Sequence, residues 1–214
     1  MSVEISEREL IDAALRHNLV PDNYFTGWRA LCDWQLAVLK AAGMRPEHHL
    51  LDVGCGAMRL GLAAVDYLDD GRYCGTETYG AYVELARELA RKVGLTKSFQ
   101  LAHDAEFPFD RFGCSFDFAM AQSVFTHLSL PQMERCMAKM RAVMKPGGKF
   151  LFTYILGSHP TLGFVYGQGH VMQRGWIDDE QFLADLGRRH GATFQPYLPQ
   201  PPHPTGQSTA IYAY

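Results

Sequence analysis

The chain has 214 residues, 47% of them hydrophobic and 20% charged, which suits one full domain with a small extra segment and a core that needs neither disulfides nor metal. Twenty Lys and Arg against 23 Asp and Glu give a net charge of −3, so no basic surplus is present to grip a nucleic acid. Five widely spaced cysteines form no Cys-x-x-Cys pair, which argues against a disulfide framework or a zinc site and for free thiols in the cytoplasm. The polar, acidic first residues are unlike a secretory signal, and no apolar run is long enough for a membrane span.

Residues 1–48 read as a helical cap. Glu9 to Leu19 and Trp28 to Ala42 carry apolar residues at helical spacing, Pro21-Asp22-Asn23 separates them, and Gly43 with Pro46 ends the second. From residue 49 to 214 the pattern changes to short apolar runs alternating with amphipathic ones. Strands are expected at His49 to Gly54, Arg72 to Glu77, Phe99 to Asp104, Phe116 to Ala121 and Lys149 to Ile155. Tyr82, Leu85, Ala86, Leu89 and Val93 share one helical face, and Met133, Met137, Met140 and Met144 form another. Ser129, Pro131 and Gln132 give the second of these helices a cap, a first-turn proline and a capping box. A capped helix from Asp178 to Arg189 precedes two final strands, Ala192 to Tyr197 and Gln207 to Tyr214, joined as an edge hairpin by a proline-rich loop. Alternation of this kind implies a parallel sheet with helices on both faces.

Chemistry-bearing residues gather at the strand ends. Gly54 and Gly56 follow a buried strand and let backbone approach a ligand closely. A dinucleotide fingerprint would need glycine at 59, where Arg59 stands, and Gly61 comes two residues too late. Asp52 lies at the first strand end. Glu77 ends the second strand, where a carboxylate accepts from both ribose hydroxyls or merely faces a helix N-terminus. Asp104 ends the third and either accepts from an adenine amine or caps the turn before Pro108. Ligands of open α/β sheets bind beyond the carboxyl ends of the strands, where these three acids would stand side by side.

The ordered set resembles the class I methyltransferases that use S-adenosylmethionine. Leu51-Asp-Val-Gly-Cys-Gly56 is similar to their first motif, Gly75-Thr-Glu77 to their ribose-binding strand end, and His103 to Phe109 to their adenine-side segment. Phe116 to Leu128 resembles their fourth strand and its loop, and Lys145-Pro-Gly-Gly-Lys149 the turn into their fifth. The resemblance implies a Rossmann-like, seven-stranded, mostly parallel sheet with an antiparallel C-terminal edge strand. It also implies S-adenosylmethionine as cofactor and S-adenosylhomocysteine as product. Asp52, Gly54, Cys55 and Gly56 would face the methionine part, Glu77 the ribose, Thr78, Asp104 and Ala105 the adenine, and Gln122 the amino-acid end. Ala57-Met58-Arg59 departs from the small polar residues often found there.

Methyl transfer to a small-molecule acceptor is the function expected. A hydroxyl acceptor needs a base, for which His127, just past the fourth strand, is a candidate beside a purely structural role. His159 and His170, with Tyr166, lie in a glycine-rich stretch at 157–177 that reads as a lid or a surface connection. Tyr24 to Trp28 either closes the pocket or packs in the core. Two other functions compete: a non-catalytic cofactor-binding or scaffold protein, and a nicotinamide-dependent oxidoreductase.

Overall fold

The computed structural model of the protein describes residues 5–17, 19, 25, 27–157, 164–166, 170–172, 176–177 and 179–214. Two compact units divide the chain, residues 1–105 and 106–214.

The first unit begins with α1 (Glu7–Arg16) and α2 (Trp28–Ala41). Helix α1 starts two residues before its first apolar repeat. The Ser6 hydroxyl accepts from Glu9 N–H while the Glu9 carboxylate accepts from Ser6 N–H, a capping box that hydrophobic spacing cannot register. Next come β1 (Leu50–Val53), α3 (Arg59–Tyr67), β2 (Tyr73–Glu77), α4 (Gly80–Lys92) and β3 (Phe99–His103). Strand β2 pairs in parallel with β1 on one side and β3 on the other. Every residue of β1 and β2 is buried, as expected where helices cover both faces of a parallel sheet. Leu10, Ala13 and Ala14 of α1 pack with Phe25, Trp28, Ala57, Leu85 and Leu89. Burying a leucine such as Leu10 contributes about 1.5–3 kcal/mol. The helical cap thus shares its core with Ala57 of the glycine loop and with α4.

The second unit opens with a 3₁₀ turn at Phe109–Phe112, then β4 (Phe116–Ala121), α5 (Leu130–Val143) and β5 (Met144–Leu156). The expected capping box at Ser129 and Gln132 is present, and Met133, Met137 and Met140 are fully buried. Strand β5 starts earlier than its apolar run. Phe116 pairs with Met144 and Phe118 with Lys149, so Pro146-Gly147-Gly148 bulges out of the ladder. Gly147 adopts φ +80°, and a Cβ on Gly148 would lie 2.8 Å from Lys145 O. Glycine is required at both.

Strands β6 (Phe164–Tyr166) and β7 (His170–Met172) form an antiparallel hairpin, and β8 (Trp176–Ile177) runs parallel to the end of β5. The stretch read as one irregular loop therefore carries strand structure. Helix α6 (Glu180–Arg189), β9 (Thr193–Tyr197) and β10 (Ser208–Ala213) follow. Strand β10 is antiparallel to β5 on one side and β9 on the other. The hairpin lies at the edge as expected, but the last strand sits one place in and β9 is outermost. An edge position suits β9, because Pro196 has no N–H to give a further strand. Phe125, Phe150, Phe152 and Tyr212 stack into one aromatic core, with Phe152 and Tyr212 ring centroids 4.7 Å apart. Among the described residues, no helix is long and apolar enough to cross a membrane.

Candidate cofactor site

At the end of β1 the backbone turns through three left-handed residues: Gly54 (φ +65°), Gly56 (φ +55°) and Met58 (φ +62°). For a methionine this conformation costs about 1–2 kcal/mol, offset by complete burial of the side chain. The departure at Ala57-Met58-Arg59 is thereby explained. Ala57 joins the core beneath α1, and Met58 initiates α3. The buried Arg59 places its guanidinium 5.9 Å from the Trp28 ring, with Nε donating to Gln35 Oε1 at 3.4 Å. These residues fasten the glycine loop to α2 rather than presenting polar groups.

Cys55 is buried, its N–H donating to Thr76 O at 2.9 Å. Its sulfur also explains Gly75 on β2, where a Cβ would come within 2.9 Å of Cys55 Sγ. The one exposed residue of Gly54-Cys55-Gly56 is Gly54.

Glu77 ends β2 with its side chain buried. Oε1 accepts from the N–H of Thr78 (2.7 Å), the N–H of Tyr79 (3.0 Å) and the Thr78 hydroxyl (3.2 Å). Oε2 accepts from Gly56 N–H at 2.9 Å. Burial raises the carboxyl pKa above its ordinary value, while these donors pull against that shift. A carboxylate has about two acceptor positions on each oxygen; Oε1 is filled by its three donors, and Oε2 keeps one position beside the Gly56 N–H. Glu77 is therefore held from behind by the glycine loop and keeps acceptor capacity.

Asp52 is placed differently. It lies within β1 at 3% exposure, and its Oδ2 accepts from the Tyr73 hydroxyl at 2.7 Å. Burial lifts its pKa to about 7, against the opposing effects of the Tyr73 hydrogen bond and the Arg59 charge. Gly61, which came too late for a nucleotide fingerprint, makes room for this contact. A Cβ there would stand 2.6 Å from the Tyr73 oxygen, and Tyr73 is fully buried. Gly61→Ala is expected to push Tyr73 off Asp52 and destabilise the protein by about 1–3 kcal/mol. Urea unfolding checks this, and an unchanged midpoint would remove Gly61 from the site.

Asp104 follows β3 directly, its N–H donating to Glu77 O at 3.0 Å. Thr78 and Ala105 are exposed and Asp104 is half-buried. The carboxyl ends of three neighbouring parallel strands thus bring together Gly54 to Gly56, Glu77, Thr78, Asp104 and Ala105. A cavity of about 340 Å³ in the same unit, walled by Trp28, Cys32, Leu62, Val93 and Leu95, is a separate feature. Its wall from α4 is the segment that leads into the amino end of β3, away from Glu77.

In the second unit, Gln122 follows β4 and is buried, with its amide against Ser123 Oγ at 2.6 Å. His127 is half-buried, its backbone N–H donating to Val124 O at 2.8 Å. Two polar residues of this cluster escaped the sequence reading. His203 is buried and reaches the Gln122 amide at 3.4 Å, and Gln207 Nε2 donates to Ser123 Oγ at 2.7 Å. His203 lies in the proline-rich segment, whose composition signals only a loop, and Gln207 at the start of the expected last strand. His159 and Tyr24 fall outside the described residues, as do the side chains of Tyr166 and His170.

Residues 50–148 match the family model described as methyltransferase domain. Solved structures with this fold include magnesium protoporphyrin IX methyltransferase (ChlM) from Synechocystis PCC 6803 with bound S-adenosylmethionine. That structure is 12% identical at a TM-score of 0.65, covering 100% of this chain and 99% of its own. Precorrin-6y C5,15-methyltransferase from Geobacter metallireducens GS-15 is 12% identical at a TM-score of 0.58, covering 84% of this chain and 86% of its own. The pyocyanin biosynthetic protein PhzM is 16% identical at a TM-score of 0.60 over 85% of this chain, which spans only 54% of PhzM.

Residues 50–148, a little under half of the chain, thus match a methyltransferase domain, and the fold is one shared with S-adenosylmethionine-dependent methyltransferases. Within the first unit β1, β2 and β3 pair in parallel, and within the second β4, β5, β10 and β9 follow one another with antiparallel C-terminal strands, the strand set of a Rossmann-like methyltransferase fold. The residues present fit the cofactor: a buried carboxylate with acceptor capacity ends β2, beside a glycine loop whose exposed position carries no side chain.

Proposed function

We propose that the chain transfers the methyl group of S-adenosylmethionine to a small-molecule acceptor, through the strand-end site just described. The observation that carries this reading is the Gly56 N–H to Glu77 Oε2 hydrogen bond at 2.9 Å, which joins the glycine loop and the acidic strand end into one binding edge. Glu77 then holds the ribose, accepting from a hydroxyl at the open position of Oε2; Thr78, Asp104 and Ala105 border the adenine, and Asp52 with Gly54, Cys55 and Gly56 faces the methionine part. Gln122 is assigned to the amino-acid end. When bound, the cofactor supplies a sulfonium methyl whose positive charge disperses as the methyl moves in line to a nucleophile. Residues of this chain contribute orientation and exclusion of water, which supply much of the acceleration in such a reaction. His127, His159 and His170 are the candidates to take a proton from a hydroxyl acceptor.

A small acceptor is supported by the mild net charge of −3 without a basic surplus. It is also supported by the fold neighbours, which are named for porphyrin and precorrin methylation. Five free cysteines suit a reducing, cytoplasmic setting. Calorimetry with S-adenosylmethionine, S-adenosylhomocysteine and NAD tests the cofactor, and labelled-methyl transfer to a metabolite panel tests the acceptor class. Micromolar binding of both adenosyl compounds is expected. Binding of NAD alone would sink the reading.

A further inference from the structure

The segment leaving β4 is held by a buried polar network. Ser123 adopts φ +58°, a left-handed conformation that a serine rarely takes. Its N–H donates to Thr153 Oγ1 at 2.7 Å, and its carbonyl accepts from Thr126 Oγ1 at 2.8 Å. The Ser123 hydroxyl meets Gln207 Nε2 at 2.7 Å and the Gln122 amide at 2.6 Å. His203, only 6% exposed, completes the cluster from the loop between β9 and β10.

The hydrogen bonds of His203 fix its tautomer. Nδ1 accepts backbone N–H bonds from Thr205 at 3.1 Å and Gln207 at 3.4 Å, with the Thr205 hydroxyl at 3.2 Å. A nitrogen that accepts two N–H bonds carries no proton, so the neutral ring bears its proton on Nε2. That Nε2–H points at the Gln122 amide 3.4 Å away. Two N–H groups cannot face each other in a buried site, and the two ends of a carboxamide are told apart by their partners. Gln122 therefore presents Oε1 to His203 and Ser123. The resulting chain is coherent: Gln207 donates to Ser123, and both Ser123 and His203 donate to Gln122 Oε1.

We infer that His203 is a positioning residue for the cofactor, its Nε2–H holding the Gln122 carboxamide and with it the backbone that leaves β4. This rests on the assignment of Gln122 to the amino-acid end of S-adenosylmethionine. One ring thus serves two purposes: Nδ1 shapes the proline-rich loop, and Nε2 carries that loop's position to the β4 exit.

Two substitutions separate the purposes. Asn in His203→Asn places an acceptor where Nδ1 was but does not reach Gln122, whereas Gln in His203→Gln extends to the Nε2 position. S-adenosylhomocysteine binding, measured by calorimetry beside the melting temperature, is expected to weaken about 5–10-fold in His203→Asn, the loss of one hydrogen bond. His203→Gln should stay within about 2-fold of the parent. Normal binding in His203→Asn, or equal weakening in both variants, would reduce His203 to a loop cap and overturn the inference. Nitrogen-15 NMR of the unmodified protein gives a second test independent of the ligand. A neutral ring protonated at Nε2 is expected, and a proton on Nδ1 would overturn the arrangement. If the unmodified protein binds no adenosyl compound while the NMR shows the Nε2–H ring, the cofactor reading fails instead.

Discussion

Replacing Glu77 by alanine is expected to raise the dissociation constant for S-adenosylhomocysteine about 10–100-fold. A hydrogen bond from a ribose hydroxyl to the remaining Oε2 position of an ionised carboxylate is worth about 1.5–3 kcal/mol, and every 1.4 kcal/mol is tenfold in affinity. The same change removes the acceptor for the N–H groups of Gly56, Thr78 and Tyr79. Stability should therefore fall too, by about 2–3 kcal/mol, or about 4–12 °C in a chain of this size. Glu77→Gln keeps a carbonyl toward the backbone donors but loses the charge. It should recover most of the stability and less of the affinity. Calorimetry and thermal unfolding on the two variants together check this, and full affinity in Glu77→Ala would refute the ribose assignment.

Asp52→Asn carries the second large effect, and its sign depends on pH. The folded protein holds the Asp52 proton until about pH 7, whereas an unburied aspartate releases it near 3.8. Between those values the native state binds more protons than the unfolded one, so the contribution of Asp52 to stability falls as pH rises through this window. Asparagine keeps an acceptor for the Tyr73 hydroxyl and has no charge to bury. At pH 8 it is expected to be more stable than the parent by about 2 kcal/mol, or about 4–8 °C, with the advantage fading toward pH 5. Cofactor affinity should move the other way, by about tenfold, if the carboxylate faces the cationic methionine end. Melting temperatures of both proteins from pH 5 to 8 decide the first point. A pH-independent difference between them would show that the Asp52 charge is not buried at a cost.

Much of this architecture was legible because its signals are local. Apolar runs at residues 50–53 and 73–77 end in glycine or acid, and the Ser129–Gln132 box announces α5. Helix α3 was not legible, because its first turn is formed by Met58 and Arg59, whose conformation and burial follow from packing on α2. The early start of β5 was hidden by Pro146, Gly147 and Gly148, which punctuate a turn in isolation and here bulge from a ladder. Within the site, the acids were legible as strand ends, yet the difference between them was not. Asp52 and Glu77 look equivalent in sequence, but Asp52 lies within its strand under Tyr73 while Glu77 stands at the end of its own. His203 was invisible for a similar reason, since its partner Gln122 is brought to it only by the return of the chain through β10.

The inset position of β10 also bears on how the protein is made. Lys149 of β5 finds its partner in Ala213, and Ala213 pairs in turn with Thr193 of β9. Until β10 leaves the ribosome, β5 presents an open edge of Phe150, Leu151 and Phe152, residues that end fully buried. Pairings between distant parts of a chain form slowly, and unpaired apolar edges invite association while they wait. Residues 106–214 should therefore acquire their protease resistance only after β10 has been synthesised, whereas β1, β2 and β3 are neighbours in sequence and can pair well before that.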